Sequence, residues 1–336
     1  MPDKKKFNNI LLLGGGDLLR KIVLWSNSEE ISISVVTSPR HSEEVLDGTK
    51  LVDFLDANKI RYLITSNISS QEANNFISNL DNSFCLSLGA AWIFKKEILS
   101  NLFNNLLFNL HGTRLPQNRG GATFSWQILR GNKLGFCQLH MIDSGIDTGD
   151  LIATEEFLYP SNCRTPLDYQ DIYIKENFKF ITKFIKTAIK NGLNIKPIPQ
   201  LEYFSSYWPR LNTKLNGWID WRYDIFALEK FICAFDNPYE GASTFLNGEV
   251  VHLKNVSADF SDGNFHTYQS GLIYRNNKKW ISISCSGGTL IVENITDKNG
   301  NSIMSNIAFG DRLITPLDKL EHSFDRIIYT PEGLKK

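Results

Sequence analysis

An asparagine and a histidine two residues apart, Asn109 and His111, are the first residues whose types suggest chemistry. They end the apolar run "LLFNLH", which predicts a buried strand, and residues two apart on a strand point to the same side. Gly112 and Pro116 then turn the chain away, so we expect the pair to face a crevice. An imidazole in such a place can act as a general base. A buried structural histidine would explain His111 alone, but the shared face with Asn109 argues against that explanation.

A second polar stretch, "DSGIDTGD" at residues 143–150, carries three aspartates between two apolar runs. A polar hairpin loop accounts for its glycines but not for so many carboxylates. One carboxylate that reached His111 would orient the imidazole ring and stabilise its protonated form, as in other base–orienter pairs. The two stretches together predict a site for proton transfer, and the pattern leaves open which aspartate takes part.

A glycine-rich turn, "GGGD" at residues 14–17, follows the first predicted strand and invites comparison with dinucleotide-binding proteins. The fingerprint G-x-G-x-x-G lacks its third glycine here, because Leu19 stands in that position. The second predicted strand ends in "VVTSPRH", without an acidic residue to hold a ribose. A nicotinamide site is therefore disfavoured, and a tight turn between a strand and a helix is the simpler interpretation.

Composition narrows the class of protein. A chain of 336 residues, 42% of them hydrophobic, can bury a sizeable core and form two domains. Lys+Arg and Asp+Glu both number 36, so no global field attracts nucleic acid or an anionic membrane. No apolar run approaches the ~20 residues of a membrane-spanning helix, and none fits a signal peptide. Five scattered cysteines without a C-x-x-C pair favour reduced thiols in the cytoplasm and disfavour zinc.

Elements that could position these residues are predicted along the whole chain. Strands alternate with helices in the first part, which indicates an α/β fold with a doubly wound, mostly parallel sheet. Such sheets bind ligands at the carboxyl ends of their strands, where Asn109 and His111 are expected. A long amphipathic helix is predicted over residues 166–191, and short strands with turn signals then suggest a smaller β-rich, barrel-like domain. We expect domains at residues 1–200 and 201–336.

The stretches described so far resemble a known family when they are taken together. The sequence "FNLHGTRLPQNRGGATFSWQILRGN", followed by "IDSGIDTGDLI", resembles the folate-dependent formyltransferases. The family pattern is N-x-H, then L-P-x-x-R-G, then D-x-G-x-D-T-G-D. The resemblance extends to "LSLGAAWIF" upstream and to "GWIDW" and "AFDNPYEGAS" downstream, so it covers nearly the whole chain. It implies the formyltransferase fold, N10-formyltetrahydrofolate as co-substrate and no metal.

The resemblance also implies residue roles by position. Asn109 would stabilise an oxyanion, His111 would take the proton of an attacking amine, and Asp147 would hold His111. With Asp147 beside it, His111 is expected to keep a pKa near its ordinary value or above it, and to carry little packing. The residues expected to bind folate are Leu88, Gly89, Ala90, Trp92, Ile142, Asp143 and Gly145. The residues expected to bind the second substrate are Gly14, Arg119, Gly120, Trp208, Arg210 and Tyr239.

The identity of the formylated amine depends on two further segments. Members that act on tRNA carry a long basic insertion after the second strand, whereas this chain has a short acidic linker at residues 42–47, expected to repel phosphates. The aromatic segment at residues 203–221 resembles the nucleotide-sugar branch, in which a ring can stack on a base and Arg210 can pair with a diphosphate. Core packing accounts for most of these rings. The sequence favours a dTDP-linked amino-dideoxy sugar for a bacterial surface polysaccharide such as the lipopolysaccharide O-antigen.

Several alternatives stay open at this point. They are methionyl-tRNA formylation, formylation of a UDP-linked aminopentose, hydrolysis of formyltetrahydrofolate, and binding without catalysis. Hydrolases of the family carry an extra N-terminal domain, and this chain is expected to begin at its first strand. The intact N-x-H and D-T-G-D motifs argue against a non-catalytic binder. The β-rich domain resembles relatives that pair, so a homodimer is expected. Nothing in the sequence decides between thymine and uracil, or between a C3 and a C4 amine.

Overall fold

The structure is a computed structural model that describes residues 7–80 and 82–335. Its helices are α1 (Asp17–Ser28), α2 (Pro39–Ser42), α3 (Leu51–Ala57), α4 (Gln71–Ser78), α5 (Lys96–Phe103), α6 (Thr123–Leu129), α7 (Pro166–Asn191), α8 (Thr213–Asn216), α9 (Ile225–Ala234) and α10 (Leu317–His322). The first strands are β1 (Asn9–Gly14), β2 (Ser32–Thr37), β3 (Val45–Leu46), β4 (Thr49–Lys50), β5 (Arg61–Ile64), β6 (Ser83–Leu88), β7 (Leu107–His111), β8 (Arg119–Gly120), β9 (Leu134–Met141) and β10 (Leu151–Leu158). The later strands are β11 (Tyr207–Trp208), β12 (Ala242–Leu246), β13 (Glu249–Asp259), β14 (Ile273–Asn276), β15 (Ile281–Cys285), β16 (Gly288–Asp297), β17 (Leu313–Ile314), β18 (Tyr329–Thr330) and β19 (Gly333–Leu334).

The first domain is built on a seven-stranded sheet in the order β10-β9-β7-β6-β1-β2-β5. The strands from β7 to β5 are parallel, and β9 and β10 add antiparallel pairs at one edge. The prediction of a doubly wound, mostly parallel α/β sheet is therefore confirmed. Helices cover both faces, which explains why β1 is buried at every residue.

Alternation along β7 decides where the polar pair points. Phe108 and Leu110 pack into the core beneath α7, while Leu107 belongs to the core on the opposite face, with α4 and α5. Asn109 and His111 share the face of Leu107 because side chains alternate along a strand. The two residues therefore point to the same side, as expected, because they are two residues apart on one strand.

Helix α7 covers the other face and begins and ends where the sequence indicates. The Thr165 side chain accepts a hydrogen bond from the Asp168 N–H, and the Asp168 side chain accepts one from the Thr165 N–H, which forms a capping box. Pro166 occupies the first turn, where no backbone donor is needed. Ile181 and Ile185, one turn apart, are fully buried against the sheet.

The second domain is a six-stranded antiparallel sheet in the order β14-β15-β16-β13-β12-β17. Its edges meet, because Leu272 bridges to Arg312 and the Ile273 N–H donates to the Asp311 carbonyl over 2.8 Å. Helix α9 fills the interior with Ile225, Leu228 and Ile232. This architecture matches the barrel-like domain expected from the sequence.

Two segments connect the domains near the site. Strand β11, in the segment after α7, pairs in parallel with β8 of the first domain. The chain end returns as well, because the Arg40 N–H donates to the Pro331 carbonyl over 3.1 Å. The boundary near residue 200 stays a prediction, and near the chain end Tyr329 and Pro331 contact Arg40 while Ser323 and Asp325 contact Asn216.

Candidate active site

A cavity of about 600 Å³, the main cavity, opens on the face of the sheet where Asn109 and His111 point. The expected residues that line it are Asn109, His111, Asp147, Gly89, Ala90, Trp92, Ile142, Asp143, Gly145, Gly120, Arg210 and Tyr239. Among the described residues, four expected ones are not part of its wall: Leu88, Gly14, Arg119 and Trp208. The structure therefore brings the three central residues and most of the predicted folate site together.

Asn109 is oriented by a second histidine that sequence reasoning missed. His140 is its register partner on β9, and Nδ2 of Asn109 lies 3.1 Å from Nε2 of His140. Nδ1 of His140 lies 2.7 Å from the Met141 carbonyl oxygen, which can only accept. His140 therefore carries its proton on Nδ1 when neutral, and its Nε2 accepts from Asn109. One amide hydrogen of Asn109 is thus fixed and the other is left for a ligand in the main cavity.

The tautomer of His111 follows from its neighbours in the same way. Nε2 lies 2.8 Å from the Asn118 carbonyl oxygen and 2.7 Å from Oγ1 of Thr113, whose hydroxyl donates to the same carbonyl over 3.0 Å. The N–H must therefore be on Nε2, and Nδ1 is the nitrogen that can take a proton. Nδ1 lies 3.8 Å from Oδ2 of Asp147, so a proton gained there would face a carboxylate.

Burial changes two expectations about His111. The side chain is 6% exposed, so it carries more packing than a crevice residue was expected to carry. Burial lowers the pKa of His111, Asp147 opposes that effect and His140 adds to it, and the net pKa lies below the ordinary value. The expectation of an ordinary or raised pKa was wrong, because desolvation outweighs a carboxylate at 3.8 Å. His111 is consequently neutral and able to accept a proton at pH 7.

Asp147 is held from several sides. Its Oδ2 accepts the Gly120 N–H over 2.9 Å, and its Oδ1 lies 3.6 Å from Nε2 of His140. Burial alone would raise the pKa of Asp147, but His111, His140 and the Gly120 N–H hold that pKa well below its usual range. Gly120 is required there, because a Cβ would lie 2.0 Å from the Trp208 carbonyl oxygen. Its contribution to the site is therefore a backbone donor.

The remaining residues of "DSGIDTGD" build the loop that carries Asp147. Oδ1 of Asp143 accepts from the Gly145 N–H over 3.0 Å and from the Thr148 hydroxyl. The loop starts beside the beginning of β7, where the Ile142 N–H donates to the Leu107 carbonyl over 2.8 Å, and it runs along the strand to reach His111. The spacing of the aspartates thus reflects one residue that faces the histidines and another that shapes the turn.

Two predicted residues support the main cavity from behind it. The Leu88 carbonyl accepts the Gly15 N–H over 3.3 Å, so this backbone group is already bonded. A Cβ on Gly14 would lie 2.2 Å from the Leu88 oxygen, so the glycine allows β1 and β6 to approach each other. The Gly16 N–H at the start of α1 is bonded to the Glu44 carboxylate over 2.8 Å. The Leu88 carbonyl and the Gly16 N–H are thus already bonded within the protein. Leu88 and Gly14 lie outside the lining of the main cavity, and their roles in binding stay predictions.

Arg119 and Trp208 also lie outside the wall. The Arg119 side chain is 6% exposed and donates to Gln200 over 3.1 Å and to Glu202 over 2.7 Å. The Trp208 ring packs on Trp126, with ring centroids 5.0 Å apart. Its neighbour Tyr207 lines the main cavity instead. Arg119 is buried and Trp208 is half-buried, so neither lines the main cavity, and their roles in substrate binding stay predictions.

A second cavity of about 530 Å³, the adjoining cavity, shares Ala122, Arg210, Tyr239 and Tyr329 with the main one. The Tyr329 ring lies between two guanidinium groups, with centroid distances of 5.5 Å to Arg40 and 5.9 Å to Arg210. His41 lines the same cavity, and its Nε2 lies 3.1 Å from the Arg40 guanidinium. Burial, Arg40 and Arg210 lower the pKa of His41 to about 4, so His41 is neutral and accepts from Arg40.

Sequence reasoning missed this cationic site for two reasons. Arg40 and His41 lie in the linker after β2, which was expected to repel phosphates because of its acidic residues. One of those, Glu44, is bonded to a backbone N–H and another, Glu43, pairs with Lys50. Tyr329 comes from the far end of the chain and no local pattern marks it. The sequence signal for this site was an arginine three residues after the parallel strand β2.

Within residues 7–80 and 82–335, no group of three or more His, Cys, Asp or Glu side chains is arranged to hold a metal ion. Among the helices of those ranges, none has the length and apolar character needed to cross a bilayer.

Two parts of the chain match the two domains of one family. Residues 8–159 match the family described as "Formyl transferase", and residues 212–310 match "Formyl transferase, C-terminal domain". The chain belongs to the formyl transferase family. The prediction of a formyltransferase enzyme is thereby confirmed, and the main cavity is the candidate active site of a formyltransferase.

Individual formyltransferases are similar to this chain over most of its length. The methionyl-tRNA formyltransferase of Rickettsia bellii (strain RML369-C) is 25% identical over 284 residues, 84% of this chain and 88% of the relative. The enzyme of the same name from Ruminiclostridium cellulolyticum is 27% identical, over 78% of this chain and 83% of its own. These similarities extend across both domains.

Solved formyltransferase structures share the fold. An N-formyltransferase from Helicobacter canadensis, in complex with folinic acid and dTDP-3-aminofucose, superposes with a TM-score of 0.65 at 20% identity, covering 86% of this chain and all of its own. The sugar 3N-formyl transferase WlaRD, solved with dTDP and 5-N-formyl-THF, gives a TM-score of 0.63 at 20% identity, covering 87% and 98%.

Proposed function

We propose that this formyltransferase transfers the formyl group of N10-formyltetrahydrofolate to the amino group of a nucleotide-linked amino sugar, most simply a dTDP-linked one. One observation carries the proposal. The main cavity holds Asn109, His111 and Asp147, and it continues into an adjoining cavity where Arg40 and Arg210 flank the Tyr329 ring. An amine and a diphosphate on one small molecule would fit these two places at once.

The chemistry assigned to each central residue follows from its geometry. The formyl donor supplies an electrophilic carbon, and the free N–H of Asn109 Nδ2 stabilises the negative charge that grows on the formyl oxygen. Nδ1 of His111 takes the proton that the attacking amine loses, since Nε2 already carries a hydrogen. Asp147 stabilises the protonated ring. The proton then goes to N10 as its bond to the formyl carbon breaks, so no net proton is released.

The folate is proposed to occupy the part of the main cavity opposite the second domain. Gly89, Ala90 and Trp92 follow β6, and Ile142 to Gly145 follow β9, so their backbone groups line one wall. Trp92 is 7% exposed, and its indole N–H has no hydrogen-bond partner among the described residues. A pterin ring offers both flat surface and hydrogen-bonding edges to such a wall.

The adjoining cavity supports a nucleotide diphosphate. Arg40 and Arg210 supply two guanidinium groups, which suit phosphate oxygens. Glu44, the one carboxylate among the described residues of the lining, already accepts the Gly16 N–H, and His41 is neutral. Tyr329 and Tyr239 offer flat rings for a base or a sugar. The two solved neighbours were determined with dTDP or a dTDP-sugar, which agrees with this assignment for the present chain.

Methionyl-tRNA is the second candidate acceptor, favoured by the names of the relatives from sequence comparison. A tRNA surface would need several exposed cations close together, whereas the chain has zero net charge and only a short hairpin, β3–β4, follows β2. A UDP-linked amino sugar is a closer alternative. The rest of the proposal is a cytoplasmic homodimer that serves the synthesis of a surface polysaccharide such as the O-antigen.

Ligand stabilisation separates the two acceptors. Free dTDP at 100 times its Kd should raise the free energy of unfolding by about 2.7 kcal/mol, because it binds only the folded state. We expect this rise in a thermal denaturation series, with little dependence on salt. Initiator methionyl-tRNA should not stabilise the protein. No stabilisation by millimolar dTDP, together with efficient formylation of the tRNA, would overturn the proposed substrate.

A further inference from the structure

The segment that follows α7 runs beside the loop carrying Asp147. Leu151 and Ile198 form an antiparallel bridge, with both N–H···O distances at 2.9 Å. Two residues later, the Gln200 side chain reaches the loop itself. This segment has no part in the chemistry described so far, yet it contacts the main chain of Asp147.

The side-chain amide of Gln200 makes three hydrogen bonds, two through its nitrogen and one through its oxygen. Nε2 donates to the Asp147 carbonyl over 2.9 Å and to the Gly149 carbonyl over 2.6 Å. Oε1 accepts from Nε of Arg119 over 3.1 Å. Both hydrogens of the amide nitrogen thus bond to the loop, and the oxygen faces away from it.

Arg119 determines the direction of this amide. A guanidinium can only donate, so it must face the amide oxygen, and the amide nitrogen must then face the two carbonyls. Arg119 is itself held in place, because it is 6% exposed and donates to Glu202 over 2.7 Å. The arrangement therefore has one consistent hydrogen-bonding pattern.

The hydrogen bonds from Gln200 hold a residue that has an uncommon backbone conformation. Asp147 has φ of 54°, in the left-handed region that non-glycine residues rarely adopt. Gln200 holds the main-chain carbonyl of Asp147 while the Gly120 N–H holds its carboxylate. The two contacts fix where the carboxylate lies relative to His111.

We propose that Gln200 is a positioning residue for Asp147 and that Arg119 fixes the direction of its amide. The inference rests on the proposed roles of Asp147 and His111. The segment that leads to the second domain would then contribute to catalysis, because its Gln200 holds the residue whose carboxylate supports the base.

A pH profile reports this role separately from stability. The groups that face His111 are Asp147 from the loop, His140 from β9, and the neutral Thr113 hydroxyl and Asn118 carbonyl. Asp147 is the one that favours the protonated ring most strongly. If Asp147 shifts away, the pKa of His111 falls further, and the acid limb of the kcat profile moves to lower pH.

The test compares Gln200→Met, Gln200→Glu and the control Gln269→Met. Gln269 is half-buried like Gln200 and accepts the His266 N–H over 2.9 Å, and it does not line the main cavity. Gln200→Met removes both donors at similar size, and Gln200→Glu places an oxygen against two carbonyls. We expect kcat to fall between about tenfold and a hundredfold in both variants, since a displacement near 1 Å costs this much. KM values should change less than about threefold, and Gln269→Met should match the wild type.

The outcomes are distinguishable when Asp147→Asn is measured in parallel. A fall in kcat with the acid limb displaced to lower pH supports the positioning role. A fall in kcat with an unmoved acid limb, or wild-type kcat in both Gln200 variants, overturns it while the catalytic role of Asp147 stands. Wild-type activity of Asp147→Asn would instead overturn the proposed function. If Gln200→Met fails to fold, as judged by thermal denaturation, Gln200→Glu gives the same comparison.

Discussion

The side-chain amide nitrogen of Asn109 lies 3.1 Å from Nε2 of His140, the residue opposite it in the β7–β9 register. The bond exists because β9 runs antiparallel to β7 and places both side chains on one face of the sheet. His140 is fixed in turn by the Met141 carbonyl at 2.7 Å. The orientation of the proposed oxyanion donor therefore depends on a histidine outside the N-x-H motif.

Replacing His140 with alanine should release the Asn109 amide. Asn109→Ala should lower kcat about a hundredfold to a thousandfold, since this is the usual cost of losing an oxyanion donor. We expect His140→Ala to cost about tenfold, because the amide remains but is not fixed. A double-mutant cycle measures the coupling, and the double variant should be no worse than Asn109→Ala. Fully additive effects would show that His140 acts independently of Asn109.

The pH dependence of catalysis should reflect the buried state of His111. His111 must be neutral to take a proton, and its pKa is lowered by burial. The rate should therefore stay level through pH 7 and fall only below the ordinary value of about 6.5. His111→Asn should lower kcat by at least about a hundredfold. An acid limb centred above pH 7, or more than a tenth of wild-type turnover in His111→Asn, would contradict this assignment.

The free energy of unfolding should depend on pH because the pKa of His41 is lowered in the folded protein. Its pKa is about 4 in the folded protein and about 6.5 in the unfolded chain, so the unfolded state binds more protons between these values. The stabilisation is present above pH 6.5 and is lost as the pH falls toward 4, by up to about 3 kcal/mol. Urea unfolding of the wild type and of His41→Gln across this range measures the difference. Parallel curves for the two proteins would show that His41 does not titrate this way.

Arg40 should govern the affinity for the sugar nucleotide and not for folate. Loss of a charged hydrogen-bond donor to phosphate costs about 1.5–3 kcal/mol, so Arg40→Met should raise the KM for the sugar nucleotide by at least about tenfold. The KM for N10-formyltetrahydrofolate should stay within about twofold. Arg61→Met is a matched control, because Arg61 is an exposed arginine that packs on Phe76 of α4. An unchanged KM for the sugar nucleotide in Arg40→Met would contradict the proposal that the adjoining cavity binds the diphosphate.

Much of the fold and the centre of the site could be predicted from local patterns. Helix α7 was predicted with its observed bounds, because apolar residues repeat at helical spacing along it. Asn109 and His111 were predicted to share a face because the strand period is two. These features depend on residues that are neighbours in the sequence.

What could not be predicted depends on the tertiary fold. Tyr329 meets Arg40 only because the chain end returns to the first domain. The lowered pKa of His111 comes from burial, which a motif does not record. At β11 two neighbouring side chains take different positions: Trp208 packs half-buried on Trp126, and Tyr207 lines the main cavity. Alternation along a strand makes such a one-residue difference decisive.

Product analysis tests the central claim most directly. The purified protein is incubated with N10-formyltetrahydrofolate and a panel of dTDP- and UDP-linked amino sugars, with initiator methionyl-tRNA as the competing acceptor. Tetrahydrofolate release is followed together with the mass of each acceptor. We predict one formyl group gained by a dTDP-linked amino sugar for each tetrahydrofolate released, with loss of this activity in His111→Asn and Asp147→Asn. Formylation of the tRNA alone, or tetrahydrofolate release without a formylated sugar, would contradict the account.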